Sequence, residues 1–568
     1  LKSFLKTSPQ ISPYYDGRMP TTTWGVTLRT KEGGAQAPNV PDYSTTNIQV
    51  EGVDESDVMK TDGEYIYLVS ENSVVIIKAY PPEEARVLSQ IKLNGTLSGV
   101  FINGDRLVIF EGEFPIYERQ AFDPYPYQAP RAFVKIYDIS DRENPASRRN
   151  VSLDGYYFNS RMIGDYVYVV INQAANVNEE QVGLPKIYSD DQATEISASD
   201  IYYSNVSDYY YAFTTVVAIN VQNDEEPKHE TILLGGTSVM YVSLNNIFVT
   251  FPVFETGDEK TGIHRVRIEN GEIKYEATGE VPGYVLNQFS MDEYEGHFRI
   301  ATTTGHVGWF SGSTSKNNVY VLDMNLDIVG SLEDLAPGEK IYSARFMGNR
   351  CYLVTFKKID PLFVIDLTDP KYPTVLGQLK ITGYSDYLHP YDENHLIGIG
   401  KETVAAEEGN FAWYQGVKIS LFDVSDVSMP KEIAKYEIGD RGTDSPVLSD
   451  HKAFLFDKSK NLLVMPVSVA EIDEAKYQGE VPPNAYGDFV WQGAYVFNTS
   501  LDQGLTLRGR ITHIENDTDF MKSDYFAPSP YFVKRSLYIG NVLYTISDKK
   551  IKMNSLENLA EINEVELP

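Results

Sequence analysis

The sequence predicts an all-β protein, a single large β-propeller of eight or nine four-stranded blades, and two repeated patterns carry this prediction. The first is a turn phrase, Asp-x-Ser/Thr-Asp, with a proline seven residues after its first acid. It begins at Asp138, Asp366 and Asp423, and a degraded copy begins at Asn220. Each copy ends a run of strand-forming residues. Repeats of about 40–60 residues built from short strands are typical of propellers.

The second pattern is a tight hairpin near the start of each repeat. Gly and Asn residues favour the positive φ angles that such turns need. The turn pairs are Asp62-Gly63, Gly104-Asp105, Gly164-Asp165, Asn245-Asn246, Gly348-Asn349 and Gly540-Asn541. Units counted by this hairpin begin near residues 56, 96, 156, 236, 287, 341, 384, 442 and 528. This count gives nine units, but eight blades would be more usual, so both numbers stay open.

Sequence composition divides the chain into an arm, a propeller and two insertions. Residues 1–47 are rich in Pro, Thr and Gly and predict an extended N-terminal arm or linker, which precedes a propeller over residues 48–568. Loop insertions are expected at 112–130 and 171–212. The second insertion carries a group of tyrosines at Tyr202, Tyr203, Tyr209, Tyr210 and Tyr211. Such a loop either contacts a partner or covers an exposed strand edge.

Charge and residue usage exclude several classes of function. The net charge of −31 over 568 residues argues against binding to nucleic acid or to an anionic membrane. No apolar run is long enough to span a membrane. The single cysteine, Cys351, excludes an intramolecular disulfide and is expected to be buried in an interior strand. Five sequons permit N-glycosylation in an extracellular protein, at Asn94, Asn150, Asn205, Asn498 and Asn516.

Two groups of charged residues are candidate sites. The carboxylates Glu51, Asp54, Glu55 and Asp57 lie directly before the first blade. Oxygen ligands at this spacing would hold calcium or magnesium, or they would pair with basic groups where the propeller closes. No other cofactor is indicated. The turn phrase itself is expected to be structural, because Asp and Ser side chains accept hydrogen bonds from the backbone two residues on.

The second group comes from the first strand of each unit, which should line a central channel. Period-two alternation places one charged side chain of several units on the same face of this strand. These residues are Lys60, Arg161, Glu293, Arg345 and Arg535. They would bind an anionic ligand, or they would form buried pairs with carboxylates and carbonyl groups along the axis.

Seven stretches along the chain carry a family resemblance. They are VEGVDESD at 50–57, QFSMDEYEG at 288–296, LAPGEKIY at 335–342, DPLF at 360–363, YLHP at 387–390, DHKAF at 450–454 and YIGNVLYTIS at 538–547. Together they resemble the secreted archaeal and bacterial proteins whose β-propeller domain is distantly related to WD repeats. The resemblance implies a secreted or cell-surface propeller and implies no particular activity.

Three functions follow as expectations. The leading one is a secreted or cell-surface module that binds an extracellular protein or an envelope glycan. The second is an extracellular hydrolase with its site at the mouth of the channel, although the sequence assigns no catalytic residue and favours a non-enzymatic role. The third is a surface-layer or filament subunit, in which residues 1–47 would add a strand to a neighbouring copy.

Overall fold

The computed structural model describes residues 41–113, 130–175, 177–178, 181–190, 192–203, 211–255, 258–308, 312–357, 360–406, 411–515 and 529–568. Within these ranges the chain forms nine successive sheets, each built on four antiparallel strands and two of them extended to six strands, and it forms no α-helix, only single 3-10 turns. We number the sheets as blades 1–9 in chain order. The fold is therefore a β-propeller, as predicted, and its nine blades are the higher of the two predicted numbers.

The described residues divide into two compact units, and the first comprises residues 52–280 with blades 1–4. The strands of these blades, in chain order, are Met59–Thr61, Tyr65–Ser70, Ser73–Lys78 and Arg86–Lys92; Thr96–Asn103, Arg106–Glu113, Arg131–Asp138 and Ala146–Asp154; Tyr156–Ile163, Tyr166–Ala174, Ala212–Asn220 and Lys228–Leu234; Val239–Val242, Asn246–Glu255, Asp258–Glu269 and Glu272–Pro282.

The second unit comprises residues 41–51 and 281–568 with blades 5–9. The first strand of blade 5 is in two pieces, Tyr284–Val285 and Met291–Tyr294. The remaining strands are His297–Thr304, Lys316–Leu322 and Ile328–Leu335; Lys340–Met347, Arg350–Phe356, Asp360–Asp366 and Thr374–Ile381; Tyr384–Asp392, His395–Ala405, Ala412–Asp423 and Lys431–Ile438; Leu455–Asp457, Leu462–Glu471, Asp488–Ser500 and Gly504–Ile511; Arg535–Ile539, Val542–Ile546, Lys550–Ser555 and Glu561–Glu566.

The predicted hairpins join the first two strands of their blades. Gly348 and Gly540 have φ angles of +53° and +59°, which an L side chain adopts only with strain. First strands begin at or within a few residues of most predicted unit starts, for example at Thr96, Tyr156 and Tyr384. In blades 8 and 9 the first strand begins later because a connecting segment precedes it.

The repeated turn phrase ends the third strand of blades 2, 3, 6 and 7, as predicted. The Asp423 carboxylate accepts hydrogen bonds from the backbone N–H of Ser425, at 2.9 Å, and from the Ser425 hydroxyl. In the degraded copy, the Asn220 side-chain oxygen accepts from the N–H groups of Gln222 and Asn223, at 2.9 and 3.1 Å. The prediction that these residues form structural turns is confirmed.

Each of these turns packs against the fourth strand of the preceding blade. The Ser89 hydroxyl of blade 1 donates to the carbonyl of Arg142 in the blade 2 turn, at 2.6 Å. In the second unit a glycine makes the space for the turn: a Cβ atom on Gly330 would lie 2.2 Å from the Pro370 carbonyl oxygen. A Cβ atom on Gly377 would likewise lie 2.2 Å from the Val427 carbonyl oxygen. The turn phrase therefore fixes the spacing of adjacent blades as well as ending a strand.

The core lies between neighbouring blades, which explains why the middle strands are apolar on both faces. All nine residues of the strand Ala212–Asn220 are buried. One apolar cluster joins blades 2 and 3, and others join blades 6 and 7 and blades 8 and 9. Cys351 is fully buried in such a strand, as predicted.

The described part of the 171–212 insertion covers strand edges. The hairpin of Lys186–Ser189 and Gln192–Glu195 pairs with the fourth strand of blade 2, and Ile201–Tyr203 adds a parallel strand to blade 3. This is one of the two roles that the sequence left open. Most of the 112–130 insertion, residues 114–129, lies outside the described residues.

Residues 41–49, which include the end of the predicted N-terminal arm, bond to blades of the second unit. Ser44 donates its backbone N–H to the Tyr538 carbonyl at 3.0 Å in blade 9. The Asn47 side-chain amide donates to the Phe454 carbonyl at 3.2 Å, close to blade 8. Residues 1–40 of the predicted arm lie outside the described part. The described residues contain no helix with the length and hydrophobicity of a membrane span.

Candidate functional site

In the first unit, two predicted channel cations, Lys60 and Arg161, and two of the predicted metal-binding carboxylates, Asp54 and Glu55, form one network that is buried except at Asp54. Lys60 Nζ donates to Asp54 Oδ1 and to the Glu55 carbonyl oxygen, each at 2.7 Å. Arg161 Nη2 lies 3.5 Å from Glu55 Oε2, and both side chains are buried. The short strand Asp54–Glu55 pairs with the first strand of blade 3, which brings these groups together.

These contacts agree with the second sequence interpretation of the acidic group, in which its carboxylates pair with basic side chains instead of holding a metal ion. Asp57 is buried and accepts the N–H of Val58 at 2.7 Å, while Glu51 is exposed. Among the described residues, no cluster of three or more His, Cys, Asp or Glu side chains is placed to hold a metal ion. The carboxylates Asp54 and Glu55 instead neutralise Lys60 and Arg161.

In the second unit, the predicted cations Arg345 and Arg535 are also buried. The Arg345 guanidinium lies 5.3 Å from the ring centroid of Phe289. Arg535 forms an ion pair with Asp450 and donates to the Lys534 carbonyl at 3.1 Å. Burial raises the pKa of Asp450, but the neighbouring Arg535 charge outweighs this effect and holds the pKa below its ordinary value.

In blade 5 the carboxylate that pairs with an arginine is Asp292, not the predicted Glu293. Glu293 lies opposite Phe298 and is half-buried, whereas Asp292 lies opposite Arg299 and accepts its Nε–H at 2.9 Å. The period-two alternation of side chains, from which Glu293 was predicted, does not hold here because the 3-10 turn Gln288–Ser290 interrupts the first strand of this blade. The anionic-ligand interpretation of the five predicted residues stays a prediction.

In the second unit, a cavity of about 820 Å³ opens among blades 7, 8 and 9. We call it the blade 7–9 cavity. Its walls come from the second and third strands of blades 7 and 8, from the segments that enter blades 8 and 9, and from one turn of blade 9. The lining residues are Lys401, Tyr414, Gln415, Arg441 to Pro446, Ser449, Ser468, Tyr486, Phe489, Gln492, Ser529, Pro530, Phe532, Val533, Lys534 and Asp548.

Arg441 organises the aromatic wall of this cavity. Its guanidinium lies 4.3 Å from the ring centroid of Tyr486 and 5.1 Å from that of Trp413. Nη1 donates to the Tyr414 carbonyl at 2.9 Å, and Nη2 donates to the Tyr486 hydroxyl at 3.0 Å. Tyr486 is 67% exposed, so these contacts hold in place a ring that faces solvent.

The other charges of the lining form cation–carboxylate pairs. Lys401 Nζ lies 3.2 Å from Asp444 Oδ1 and also donates to the Thr443 carbonyl. Lys534 pairs with Asp548. The cavity therefore presents polar groups of both signs, and its three cations and two carboxylates nearly balance.

Asp386 lies next to this wall, at an irregular point of the blade 7 sheet. It is the extra residue of a β-bulge in the strand Tyr384–Asp392, where Ser385 and Tyr387 face consecutive residues of the next strand. Bulges of this kind often re-aim a side chain near a functional site. Burial raises the pKa of Asp386 to about 7, Lys401 and Lys340 oppose this, and Asp444 adds to it. Two of these neighbours, Lys401 and Asp444, line the cavity.

The predicted loop residues are divided between surface and core. Tyr203 is exposed, Tyr202 is exposed and stacks on Tyr275 with ring centroids 4.4 Å apart, and Tyr211 is buried. Tyr209 and Tyr210 lie outside the described residues, as do the sequons at Asn205 and Asn516. Asn94 is exposed, and Asn150 and Asn498 are half-buried.

Sequence reasoning missed the blade 7–9 cavity because its residues come from separate segments that share no motif. The sequence feature that could have indicated this cavity is its aromatic residues. Trp413 and Tyr414 form one cluster and Tyr486 lies in a long segment before a strand, but tyrosine density drew attention only to residues 202–211.

Comparison with known proteins places nearly the whole described region in one family. A family model described as a β-propeller domain matches residues 43–559. The uncharacterized protein MJ1554 of Methanocaldococcus jannaschii is 28% identical over 616 aligned positions, which cover 95% of this chain and 86% of that protein. An uncharacterized protein of Archaeoglobus fulgidus is 29% identical over 513 positions, 75% of each chain.

Two solved structures also align with the chain. Hsv2p of Kluyveromyces lactis is 10% identical, with a TM-score of 0.32, and the alignment covers 70% of this chain and 98% of that one. Sqt1 from Chaetomium thermophilum is 11% identical, with a TM-score of 0.35, over 70% of this chain and 84% of that one. Scores this low assign no function.

Proposed function

The chain belongs to the β-propeller domain family, and we propose that it is a binding module whose ligand site is the blade 7–9 cavity. The observation that carries the proposal is the cavity itself, about 820 Å³ with aromatic, hydroxyl, amide and charged groups in its wall. Small-molecule sites usually have volumes of about 300–1,000 Å³ and a few well-placed polar groups. The family resemblance of the sequence supports a secreted or cell-surface location.

The arrangement suits recognition because its ligand-facing groups are held before a ligand arrives. Arg441 is fixed by Tyr414 and Tyr486, and Lys401 is fixed by Asp444. Groups that need no reordering lose little conformational entropy on binding. Tyr and Arg are also the residues that most often dominate binding energy at recognition sites.

A hydrolase is the second candidate, and Asp386 is the observation that favours it. A carboxyl group with a pKa of about 7 has the proton affinity that a general acid needs at neutral pH. Turnover of an extracellular polymer that is lost in Asp386→Asn, while ligand binding is retained, would support this alternative.

A thermal-shift panel tests the binding proposal. Purified protein is heated with oligosaccharides, short peptides, nucleotides and amino acids, each class tested separately. Three proteins are compared: the unaltered chain, Ser449→Trp, which places an indole ring in the cavity from an exposed lining position, and Tyr372→Ala, which alters an exposed turn of blade 6. We expect one class to raise the melting temperature of the unaltered chain and of Tyr372→Ala but not of Ser449→Trp. A panel with no stabilising class, or with stabilisation that survives in Ser449→Trp, contradicts the proposal.

A further inference from the structure

We propose that the ligand of the blade 7–9 cavity is an oligosaccharide, bound with the apolar face of one sugar ring against Tyr486. This inference rests on the proposed function and names the chemical class of the ligand. Three features of the cavity carry it: a fixed exposed ring, internally paired charges, and hydrogen-bonding groups placed around the ring.

The fixed ring is the first feature. An exposed tyrosine ordinarily samples several rotamers, and ordering it on binding costs free energy. Tyr486 is 67% exposed, yet the Arg441 guanidinium packs at 4.3 Å from its ring centroid and hydrogen bonds to its hydroxyl. Because Trp413 lies on Arg441 as well, the guanidinium is held between two rings. One face of a sugar ring presents C–H groups, and a rigid aromatic surface at a cavity rim is complementary to that face.

Internal charge pairing is the second feature. Lys401 pairs with Asp444, and Lys534 pairs with Asp548. A strongly charged ligand such as a nucleotide or a basic peptide would have to compete with these pairs or bury its charge beside a like charge. A net charge of −31 over the whole chain further opposes polyanions. An oligosaccharide avoids both costs because most of its polar groups are neutral hydroxyls.

The third feature is the supply of hydrogen-bonding groups near the ring. Gln415 lines the cavity, and its amide donates to the Pro483 carbonyl at 2.9 Å, which fixes the orientation of its side chain. Asp444 is 68% exposed, so its carboxylate oxygens remain accessible to hydroxyl donors. Carboxylate, amide and guanidinium groups around an aromatic face provide both acceptors and donors for the hydroxyls of one sugar ring.

The test is a calorimetric titration with defined oligosaccharides. The probes are neutral oligomers of glucose and of N-acetylglucosamine, and an oligomer of a uronic acid. The proteins are the unaltered chain, Tyr486→Phe, Tyr486→Ala, Ser449→Trp and the control Tyr372→Ala. Circular dichroism checks that each variant is folded, which is expected because Tyr486 is mostly exposed.

We expect at least one oligosaccharide to bind, with Tyr486→Ala weakening its affinity about tenfold and Tyr486→Phe by less than about threefold. Saturable binding of a neutral oligosaccharide with this Tyr486 dependence supports the inference, whereas binding of the uronic acid oligomer alone contradicts the argument from paired charges. Oligosaccharide binding that is unchanged in Tyr486→Ala overturns it.

The failure of this inference and the failure of the proposed function are distinguishable. If peptides or nucleotides bind, Ser449→Trp abolishes their binding and no oligosaccharide binds, the cavity is a ligand site and the oligosaccharide inference is wrong. If no class shows binding that depends on Ser449, the proposed function is wrong as well.

Discussion

Asp386 is the residue whose chemistry the surrounding fold alters in the most informative way. A β-bulge places it half-buried beside Lys401, and burial raises its pKa to about 7 from an ordinary value of 3.8. A carboxyl group that keeps its proton in the folded chain and loses it in the unfolded chain couples stability to pH. This pKa shift was not predictable from the sequence, because neither the bulge nor the burial of a single aspartate follows from its neighbours in the chain.

The first prediction concerns this coupling. Between about pH 4 and pH 7 the folded chain holds a proton on Asp386 that the unfolded chain has released. The contribution of this group to stability is therefore largest below about pH 4, falls as the pH rises, and reaches its minimum above about pH 7. Asp386→Asn mimics the protonated group, so we expect it to raise the melting temperature most at pH 8, by a smaller amount at pH 5, and to change it little below about pH 4.

The measurement is the difference in melting temperature between Asp386→Asn and the unaltered chain across this pH range. Burial lowers the pKa of His264 to about 4 and that of His513 to about 3, so both histidines add stability as the pH rises toward 6.5. Their effect is common to both proteins and cancels in the difference. Glu557→Gln, at an exposed carboxylate, is the control. A difference that does not change with pH would contradict the assigned proton affinity of Asp386.

At the scale of elements, the turn phrase was predictable because it depends on local hydrogen bonds alone. Asp423 and Asn220 occupy equivalent positions in blades 7 and 3, and each accepts a backbone N–H from the residue two positions on. The packing of these turns on a glycine of the preceding blade was not predicted. That contact joins residues such as Gly330 and Pro370 that belong to different blades, and no local pattern marks it.

The second prediction uses the natural asparagine copy of the turn. Asp423→Ala removes the acceptor for the Ser425 N–H and hydroxyl and should lower the free energy of unfolding by about 1 kcal/mol. Asp423→Asn keeps an acceptor like that of Asn220 and should cost less than half as much. Urea denaturation of the three proteins measures both values. Equal losses in the two variants would show that the charge of Asp423, not its hydrogen bonds, maintains the turn.

The third prediction concerns the contact between blades 6 and 7. Gly377→Ala places a Cβ atom 2.2 Å from the Val427 carbonyl oxygen, so the turn must move away and stability should fall by about 1–3 kcal/mol. Gly479→Ala is the matched control, because a Cβ atom there meets nothing within 4 Å. Urea denaturation again gives the comparison. A Gly377→Ala protein as stable as the control would mean that the two blades are not held by this contact.

At the scale of the whole molecule, the fold class, the repeats and the hairpins were predictable from the sequence because each recurs with its own local chemistry, while the choice between eight and nine blades needed the structure. The candidate site was not readable, because the blade 7–9 cavity forms only when three blades and the segments between them pack together. The charged residues were only partly predictable from the sequence. Lys60, Arg161 and the acidic group were identified separately, but their pairing depends on which strand the segment Asp54–Glu55 joins.

The fourth prediction concerns the segment that joins the beginning of the described chain to its last blade. Ser44 donates its N–H to the Tyr538 carbonyl, and its hydroxyl accepts the Tyr538 N–H at 2.9 Å. Ser44→Pro removes both bonds and loosens the adjacent bond from the Gly540 N–H to the Asp42 carbonyl, at 2.6 Å, so the amide hydrogens of Tyr538 and Gly540 should exchange faster with deuterium. Thr45→Ala, at an exposed neighbour, should leave their exchange unchanged. Unaltered protection in Ser44→Pro would contradict a stabilising role for this segment.

The most direct test of the central claim is saturation-transfer difference NMR with a mixture of oligosaccharides. We expect transfer from the unaltered protein to the C–H protons on one face of a bound sugar ring, and no transfer from Ser449→Trp, in which an indole ring obstructs the cavity. The absence of transfer from the unaltered protein, or equal transfer from both proteins, would contradict the claim that the blade 7–9 cavity binds an oligosaccharide.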